Sequence, residues 1–446
     1  MLESLIRIDN FHWSGDAFQP DLAANDPGVT AARAAATNGR FACALPRASG
    51  GATLVRDRLG LNKLFVAVHE SGRVLVSSYL IDLVDRGVPF ESVFSVPAGH
   101  VVDVDPAHAG VTLLRYAAVE GTRSHSSKVD DLARDIRRQL DVWFERIAKR
   151  LGHRKVYVCL SGGLDSGVIA ALARQYFHDV AAYTYTFNGV DGGCSEDAGY
   201  ASRLAAWLGI PLRIVPASAE DVLGVLDAAL CDGQDWRDFN VHCAIVNEIL
   251  ARAIRRDLDT EPPGTAGLVL TGDLANELLA DYTPISYGGH DYYKLPDIGL
   301  ADLRLVLVRG LDAGDREIGV FGRHGLDVLQ PYGLVVDDYL RLPAAFLARD
   351  RSKQVLVRKA AGDLLPAFVF DRTKVRAQIG SSSSPGGILP VLAAHGYDAA
   401  GLKRAFCRVF RIENPSFLSR FVRAGRYRAV SRLSEARSLV NGYVAA

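Results

Sequence analysis

A short apolar segment that runs directly into a loop of serine and glycine constrains the fold of this chain more than any other feature. Val156 to Leu160 is apolar and partly β-branched, which predicts a buried strand of a parallel sheet. Val168 to Tyr176, further along, has the alanine and leucine content of a helix. The loop Ser161 to Ser166 therefore joins a buried strand to a helix.

This loop has the composition of a phosphate-binding site. Gly162 and Gly163 allow a tight turn because they carry no Cβ, while Ser161, Ser166 and the helix N-terminus offer hydroxyl and amide donors to an anion. A Walker A loop needs a lysine before its last Ser/Thr and a Rossmann turn needs a third glycine, so neither pattern fits. An acid in such a loop repels phosphate unless a cation lies between them, so Asp165 is predicted to bind Mg²⁺ on pyrophosphate. The alternative is a simple glycine turn in which this aspartate caps the helix.

Ser161 to Ser166 resembles the SGGxDS loop of the asparagine synthetases, a loop shared by enzymes that cleave ATP between the α and β phosphates. The resemblance implies ATP and Mg²⁺ as cofactors. GMP synthetases and tRNA-modifying enzymes carry looser versions of the loop. The chain has 51 Lys and Arg residues against 51 Asp and Glu residues, and this absence of a net basic charge disfavours a nucleic-acid partner.

Length and composition predict two ordinary globular domains in a cytoplasmic protein. The 446 residues exceed a usual single domain, and 49% of them are hydrophobic. No signal sequence is expected at Met1, and no uncharged stretch approaches the ~20 residues of a membrane span, so we expect no membrane association. The six cysteines lack metal-type spacing and are expected to be reduced thiols of the core.

The first predicted domain, residues 1–122, is rich in β-strands, because short strand-like runs alternate with turns from Phe41 to Tyr116. Three segments, 38–42, 55–60 and 96–100, are similar in order and spacing to the glutaminase half (an Ntn-type domain) of asparagine synthetases. Those glutaminases use an N-terminal cysteine that is exposed after removal of methionine, whereas the second residue here is Leu2. We therefore expect a degenerate glutaminase-like domain with a structural role and no use of glutamine.

The second predicted domain, residues 129–446, is an α/β domain with a doubly wound parallel sheet. Val180 to Phe187 is a second strand-like segment and Leu268 to Leu270 a third, with helical patterns between them. Ligands of such sheets bind at the carboxyl ends of the strands, so Thr186 and Phe187 are predicted to line the adenine site beside the Ser161 loop.

The third strand continues into residues 271–282, which look like the SGEGADELFGGY segment of asparagine synthetases. The resemblance places Gly272 at the nucleotide. Asp273 replaces a glutamate that is tyrosine in β-lactam synthetases, and it is a catalytic candidate. Asn276 replaces an aspartate that shares Mg²⁺ with the loop aspartate, so it is predicted to bind the metal through its carbonyl oxygen, or to leave that role to Glu277. The alternative is a helix start capped by Asp273.

Two further segments extend the resemblance toward β-lactam synthetases. Residues 324–332 are similar to the HGLEVRVPF stretch of asparagine synthetases, and just before them Asp315 falls where β-lactam synthetases carry the glutamate of their base dyad, with Glu317 as the second candidate. Lys374, followed by the Gly/Ser-rich residues 378–387, matches the catalytic lysine of that family. A lysine beside such a loop can neutralise charge on the leaving AMP. The alternatives are solvated surface charges at all three positions.

Together these features predict an ATP-dependent, AMP-forming C–N ligase of the asparagine synthetase and β-lactam synthetase type. The resemblance implies adenylation of a small-molecule or peptide carboxylate with loss of pyrophosphate, followed by attack of an amine, as in natural-product or antibiotic biosynthesis. Alternatives are an ammonia-dependent asparagine synthetase, a macrocyclase of the lasso-peptide type, or a decayed homologue that serves as a scaffold. The sequence leaves open whether the chain forms a homodimer.

Overall fold

A computed structural model of the chain describes residues 2–48, 50–105, 110–120, 128–188, 194–282, 285–287, 290–292, 297–310, 317–372, 381–383, 386–415 and 418. Numbered over these residues, the strands are β1 Leu2–Leu5, β2 Phe11–Ser14, β3 Ala17–Phe18, β4 Asn38–Arg40, β5 Ala42–Pro46, β6 Ala52–Arg56, β7 Phe65–Val68, β8 Val74–Ser77, β9 Phe94–Ser95, β10 His100–Asp105, β11 Gly110–Arg115, β12 Lys155–Cys159, β13 Val180–Phe187, β14 Leu212–Ala217, β15 Gly267–Leu270, β16 Ile285–Tyr287, β17 His290–Tyr292 and β18 Asp327–Leu329.

The helices, numbered in the same way, are α1 Pro27–Ala35, α2 Leu80–Val84, α3 Val129–Leu151, α4 Leu164–Tyr176, α5 Glu196–Leu208, α6 Ala219–Gly224, α7 Leu226–Gly233, α8 Asp238–Leu258, α9 Ala275–Leu279, α10 Leu300–Arg309, α11 Glu317–Arg323, α12 Val336–Leu340, α13 Ala344–Leu347, α14 Ser352–Ala361, α15 Ala367–Asp371, α16 Leu389–Ala394 and α17 Ala399–Val409. Within the described ranges, none of these helices is both long enough and apolar enough to span a bilayer.

The first part of the chain is built from small sheets, as the alternation of short strands predicts. One sheet has the order β1-β8-β7-β9, a second has the order β11-β10-β6-β5, and a third has the order β3-β2-β4. Helix α1 is an addition to the predicted elements. Asp26 caps it by accepting a hydrogen bond from the Val29 backbone N–H, and Pro27 occupies the first helical position, where a missing N–H costs nothing.

The second part contains a five-stranded parallel sheet with the order β14-β13-β12-β15-β18. The strand order runs outward in both directions from β12, so the direction of winding reverses between β12 and β15. In sheets of this kind a crevice opens at that reversal, on the carboxyl side of the strands. The predicted fold class, a doubly wound α/β sheet preceded by a β-rich region, is confirmed.

Helix α3 packs against both the β-rich first part and the parallel sheet of the second part. Its apolar residues recur at three- and four-residue steps and are buried, as the sequence predicts; they include Leu132, Ile136 and Leu140. Trp143, on the same stripe, packs edge to face against Trp13 of strand β2, with ring centroids 5.5 Å apart. A single cluster of buried apolar side chains therefore extends from the first strands into the parallel sheet.

Hydrogen bonds also connect the first part of the chain to the second. Arg40, which is buried, donates from Nε to the Val328 carbonyl at 2.8 Å and from a terminal nitrogen to Asn62 Oδ1 at 2.6 Å. The Tyr79 hydroxyl donates to the Gly319 carbonyl at 2.7 Å. Because residues 121–127 lie outside the described part, the predicted domain boundary there stays a prediction. The first part nevertheless supports the strands on which the site is built.

Candidate active site

The loop that follows β12 is held in shape by its own side chains. Ser161 donates its backbone N–H to Ser166 Oγ at 3.1 Å, and the two hydroxyl oxygens lie 3.0 Å apart. Gly162 has a φ of +71°, and a Cβ at this position would lie 2.5 Å from the Ala201 backbone nitrogen. Both the backbone conformation and the close approach of α5 therefore require glycine, and the loop has its shape before any ligand binds.

The end of the neighbouring strand β15 lies directly against this loop. A Cβ on Gly272 would lie 2.5 Å from the Ser166 backbone nitrogen and 2.7 Å from the Asp165 carbonyl carbon. Only a residue without a side chain permits this approach, which brings the 271–282 segment to the phosphate loop. Gly163 precedes the first residue of helix α4 and directs the loop into the helix N-terminus.

A lysine that sequence reasoning missed lies at the centre of the site. Lys353, from the helix Ser352–Ala361, is 6% exposed and directs its Nζ onto the carboxylate of Asp165. The same Nζ lies 2.9 Å from Asn276 Oδ1 and 3.2 Å from Asp281 Oδ2. The ammonium group thus occupies the position between Asp165 and Asn276 where the sequence predicts a magnesium ion.

The surroundings keep Lys353 charged. Burial lowers the pKa of Lys353, but the carboxylates of Asp165 and Asp281 raise it, and the net result is a pKa above the ordinary value for lysine. The Ser161 loop therefore has a positive charge beside it at neutral pH. An ammonium group at this place can bind phosphate oxygens as a point charge with three donors.

The oxygen atoms of Asp165, Asn276 and Asp281 are of the kind that Mg²⁺ prefers. Within the described residues, however, no group of three or more His, Cys, Asp or Glu side chains is arranged to hold a metal ion. The residues fit Mg²⁺ only as partners of a ligand that brings further oxygen atoms, such as the phosphates of ATP. The magnesium role of Asp165 and Asn276 stays a prediction.

Arg372 ties the phosphate loop to helix α5. Its guanidinium pairs with Asp197, donates to the Ser161 carbonyl at 3.1 Å, and lies 4.4 Å from the centre of the Tyr200 ring. Both Arg372 and Asp197 are buried. Burial raises the pKa of Asp197 to about 6, against the opposing effect of Arg372. Arg372 is the last described residue before the segment that contains Lys374.

The end of strand β13 lies where the sequence predicts the adenine site. Thr186 is buried, and its hydroxyl accepts a hydrogen bond from the Ser195 backbone N–H at 3.1 Å, which fixes the start of helix α5. Phe187 donates its backbone N–H to the Ser381 carbonyl at 2.7 Å and pairs with Ser382 in a parallel bridge. The described part of the Gly/Ser-rich loop therefore lies over the end of β13. The hydroxyl of Thr186 acts on the helix, which sequence reasoning did not anticipate.

Of the acidic residues that the sequence suggests as catalytic, Asp273 and Glu317 lie within the described part of the chain and Asp315 does not. Glu317 is 4% exposed, and its carboxylate accepts hydrogen bonds from the Gln330 side-chain amide and from Thr271 Oγ1, the latter at 3.4 Å. The pKa of Cys159 is raised mainly by burial, and further by the nearby charges of Glu317 and Asp273. Both acids therefore lie near the carboxyl end of β12, where Cys159 is located. Asp315 and Lys374 lie outside the described residues, and their predicted roles stay predictions.

Weak sequence signals existed for the residues that were missed. In the helix Ser352–Ala361 the buried positions are Lys353, Leu356, Val357 and Ala361, so a lysine occupies an otherwise apolar stripe. Such a lysine needs a buried partner, and this pattern could have identified it. Asp197 is an acid in the first turn of a helix. Acids are common there because they interact favourably with the helix dipole, so the local sequence does not mark Asp197 as a site residue.

The parallel sheet carries a glycine- and serine-rich loop at its reversal point, flanked by a buried lysine and carboxylates. This arrangement is typical of α/β proteins that bind a phosphate group. Residues 145–301 match the family model described as asparagine synthase. This match, over roughly a third of the chain, confirms the resemblance that the Ser161 loop carries. No curated protein shows significant sequence similarity to the chain.

Among the solved structures that match, three are similar to parts of the chain at 15% sequence identity. NMN synthetase from Francisella tularensis has a TM-score of 0.30, with 63% of this chain and 93% of that chain covered. Glutamine-dependent NAD+ synthetase from Acinetobacter baumannii has a TM-score of 0.30, with 80% and 57% covered. NH3-dependent NAD synthetase from Campylobacter jejuni has a TM-score of 0.25, with 55% and 91% covered. At these TM-scores the backbones overlap only loosely and say nothing about the reaction.

Proposed function

We propose that the chain is an ATP-dependent ligase that adenylates a substrate carboxylate, releases pyrophosphate, and couples the acyl group to an amine. The observation that carries this proposal is the contact of Lys353 with Asp165 at the preformed Ser161 loop. A phosphate loop with an acid and a buried cation beside it suits the handling of pyrophosphate as a leaving group. The asparagine synthase match over residues 145–301 supports the same reaction class.

In the first step the Ser161 loop and the N-terminus of helix α4 bind the β- and γ-phosphates through backbone N–H groups. Lys353 neutralises the charge that develops on the pyrophosphate as the bond between the α and β phosphates breaks. A magnesium ion, when bound with ATP at Asp165 and Asn276, supplies additional charge neutralisation at the phosphates. The substrate carboxylate oxygen attacks the α-phosphorus, and the product is an acyl-AMP.

In the second step an amine attacks the acyl carbon, and AMP leaves. A protonated amine is not nucleophilic, so a base must remove its proton. Glu317 is the described acid best placed to assist, because its carboxylate is buried at the carboxyl end of the sheet and is fixed by Thr271 and Gln330. Asp273 and the predicted residues Asp315 and Lys374 complete the proposed set. The amine and the carboxylate are small-molecule or peptide groups in this proposal.

The test is exchange of labelled pyrophosphate into ATP in the presence of a panel of carboxylates, with AMP and ADP separated by chromatography. We expect exchange with at least one carboxylate, and AMP as the nucleotide product once an amine is added. The matched controls are Asp165→Asn, which should abolish exchange, and Asp227→Asn, which alters an exposed ion pair with Arg408 and should leave it intact.

The panel also separates the alternatives. Asparagine formed from aspartate and ammonia would favour an ammonia-dependent asparagine synthetase, and a cyclic product from a linear peptide would favour a macrocyclase. Formation of ADP in place of AMP would contradict the proposed bond cleavage. A protein that binds no nucleotide would support the scaffold alternative.

A further inference from the structure

The turn at the end of helix α9 places Asp281 in the site. The helix finishes at Leu279, and Ala280 takes the left-handed conformation with a φ of +50°. This turn brings the Asp281 backbone N–H to the Asn276 carbonyl at 2.9 Å and the Asp281 carboxylate to within 3.2 Å of Lys353 Nζ. Left-handed backbone is unfavourable for alanine, so the surrounding structure holds the chain in it.

The Asp281 carboxylate supplies a charge that its neighbour Asn276 lacks. Asn276 is a neutral amide, whereas Asp281, five positions later, is an acid. Both side chains contact the same ammonium group, Asn276 at 2.9 Å and Asp281 at 3.2 Å.

We propose that Asp281 is a positioning residue for Lys353: it holds the ammonium directed at the Ser161 loop while Asp165 is engaged by ATP. This inference rests on the proposed function. A lysine ammonium has three N–H donors, and Asp165, Asn276 and Asp281 take them in this structure. A phosphate oxygen that binds Lys353 must replace one of these three.

Asp165 is the partner that phosphate replaces. It lies in the first turn of helix α4, directly after the loop that receives the anion, so an incoming phosphate meets the ammonium on that side. Asn276 then holds Lys353 by a hydrogen bond but contributes no charge. Asp281 remains as a carboxylate partner at 3.2 Å. Without it, the buried ammonium keeps only the neutral amide of Asn276 among these three partners.

The experiment compares Asp281→Asn with the wild type in two measurements. Nuclear magnetic resonance on protein labelled at lysine side chains, with the signal of Lys353 assigned from Lys353→Arg, shows how far nucleotide binding shifts the Lys353 signal. Calorimetry with Mg²⁺ and α,β-methylene ATP, an analogue that is not cleaved between the α and β phosphates, gives the nucleotide affinity at pH 7.5. Asp363→Asn is the matched control, because it removes an exposed carboxylate paired with Arg137.

We expect Asp281→Asn to weaken binding of the analogue about tenfold and to reduce the shift of the Lys353 signal on binding. Asp281→Glu should recover much of the affinity. The decisive rescue is Asn276→Asp in the Asp281→Asn background, because it returns a carboxylate to the same ammonium from the other position. A merely structural role for Asp281 would not be restored in this way.

Two results would overturn the inference, and they are distinguishable. If the affinity for the analogue and the shift of the Lys353 signal in Asp281→Asn equal those in Asp363→Asn, Asp281 does not position Lys353. If the wild type itself fails to bind the analogue, the proposed function fails and the role of Asp281 at a phosphate site fails with it.

Discussion

The ammonium group of Lys353 lies against the carboxylate of Asp165, although the two residues are 188 positions apart in the chain. Asp165 begins helix α4 directly after the phosphate loop, and Lys353 is the second residue of a helix far along the chain. Because both groups are largely buried, each limits the desolvation cost of the other. The contact puts a fixed positive charge where nucleotide phosphates are expected to bind.

Asp165→Asn should reduce AMP formation at least a hundredfold while the protein stays folded. The loss of one charged partner beside the pyrophosphate removes stabilisation on the order of 3 kcal/mol. The fold persists because Asp281 still pairs with Lys353. The measurement is AMP release with the best carboxylate found, together with the circular dichroism spectrum. Near-normal turnover would remove Asp165 from the mechanism.

Arg372 and Asp197 should be strongly coupled in a double-mutant cycle of unfolding free energy at pH 7.5. Arg372→Met or Asp197→Asn alone leaves a buried group without its partner, whereas the double variant removes both. We expect a coupling free energy of about 1–3 kcal/mol from urea unfolding. The exposed pair Arg408 and Asp227, treated in the same way, should give about 0.5 kcal/mol. Equal coupling in the two cycles would mean that burial of the first pair is unimportant.

Asp197 should make stability depend on pH in a specific window. Burial raises its pKa to about 6 in the folded protein from an ordinary value of 3.8, so the native state binds this proton more tightly than the unfolded state does. The free energy of unfolding, relative to Asp197→Asn, should therefore fall as pH rises from about 4 to 6 and then level off, with a slope of at most about 1.4 kcal/mol per pH unit. Urea unfolding across this range is the measurement. A difference that rises with pH would show that pairing with Arg372 outweighs burial.

Lys374→Ala should separate the two proposed half-reactions. If Lys374 acts after adenylation, the variant still exchanges labelled pyrophosphate into ATP but forms amide about a hundredfold more slowly, since one charge in a closed site is worth on the order of 3 kcal/mol. Exchange and amide formation measured on one preparation decide the matter. A parallel decrease in both would assign Lys374 to ATP binding in the ground state.

Arg40→Met should destabilise the whole chain by about 3 kcal/mol, because it leaves the Val328 carbonyl and Asn62 without a buried donor. Arg86→Met, which alters an ion pair of partly exposed side chains with Glu3, should cost less than about 1 kcal/mol. Calorimetry should show one unfolding transition in both variants, since the apolar core is continuous across the predicted domains. Two separate transitions would indicate that residues 1–122 unfold independently.

Local sequence carried enough information for the strand, loop and helix around Ser161. Hydrophobic runs of strand length, glycines at a turn and an alanine-rich helix are short-range patterns, and the structure confirms the parallel sheet that they predict. The buried stripe of α3 was predictable for the same reason, because helical periodicity is visible within a few turns. Gly162 was predictable as a turn residue, although its contact with α5 was not.

The chain's sequence by itself thus determined the elements, the phosphate loop and the order of its acidic candidates. Only the tertiary structure decided that Lys353 faces Asp165, that Asp281 joins them, and that Arg372 bridges the loop to Asp197. These pairs connect residues that are distant in sequence. A charged residue needs either a charged or polar partner or contact with water. The packing of helices around the sheet decides which of the two it has. The site's electrostatics are therefore a property of the fold.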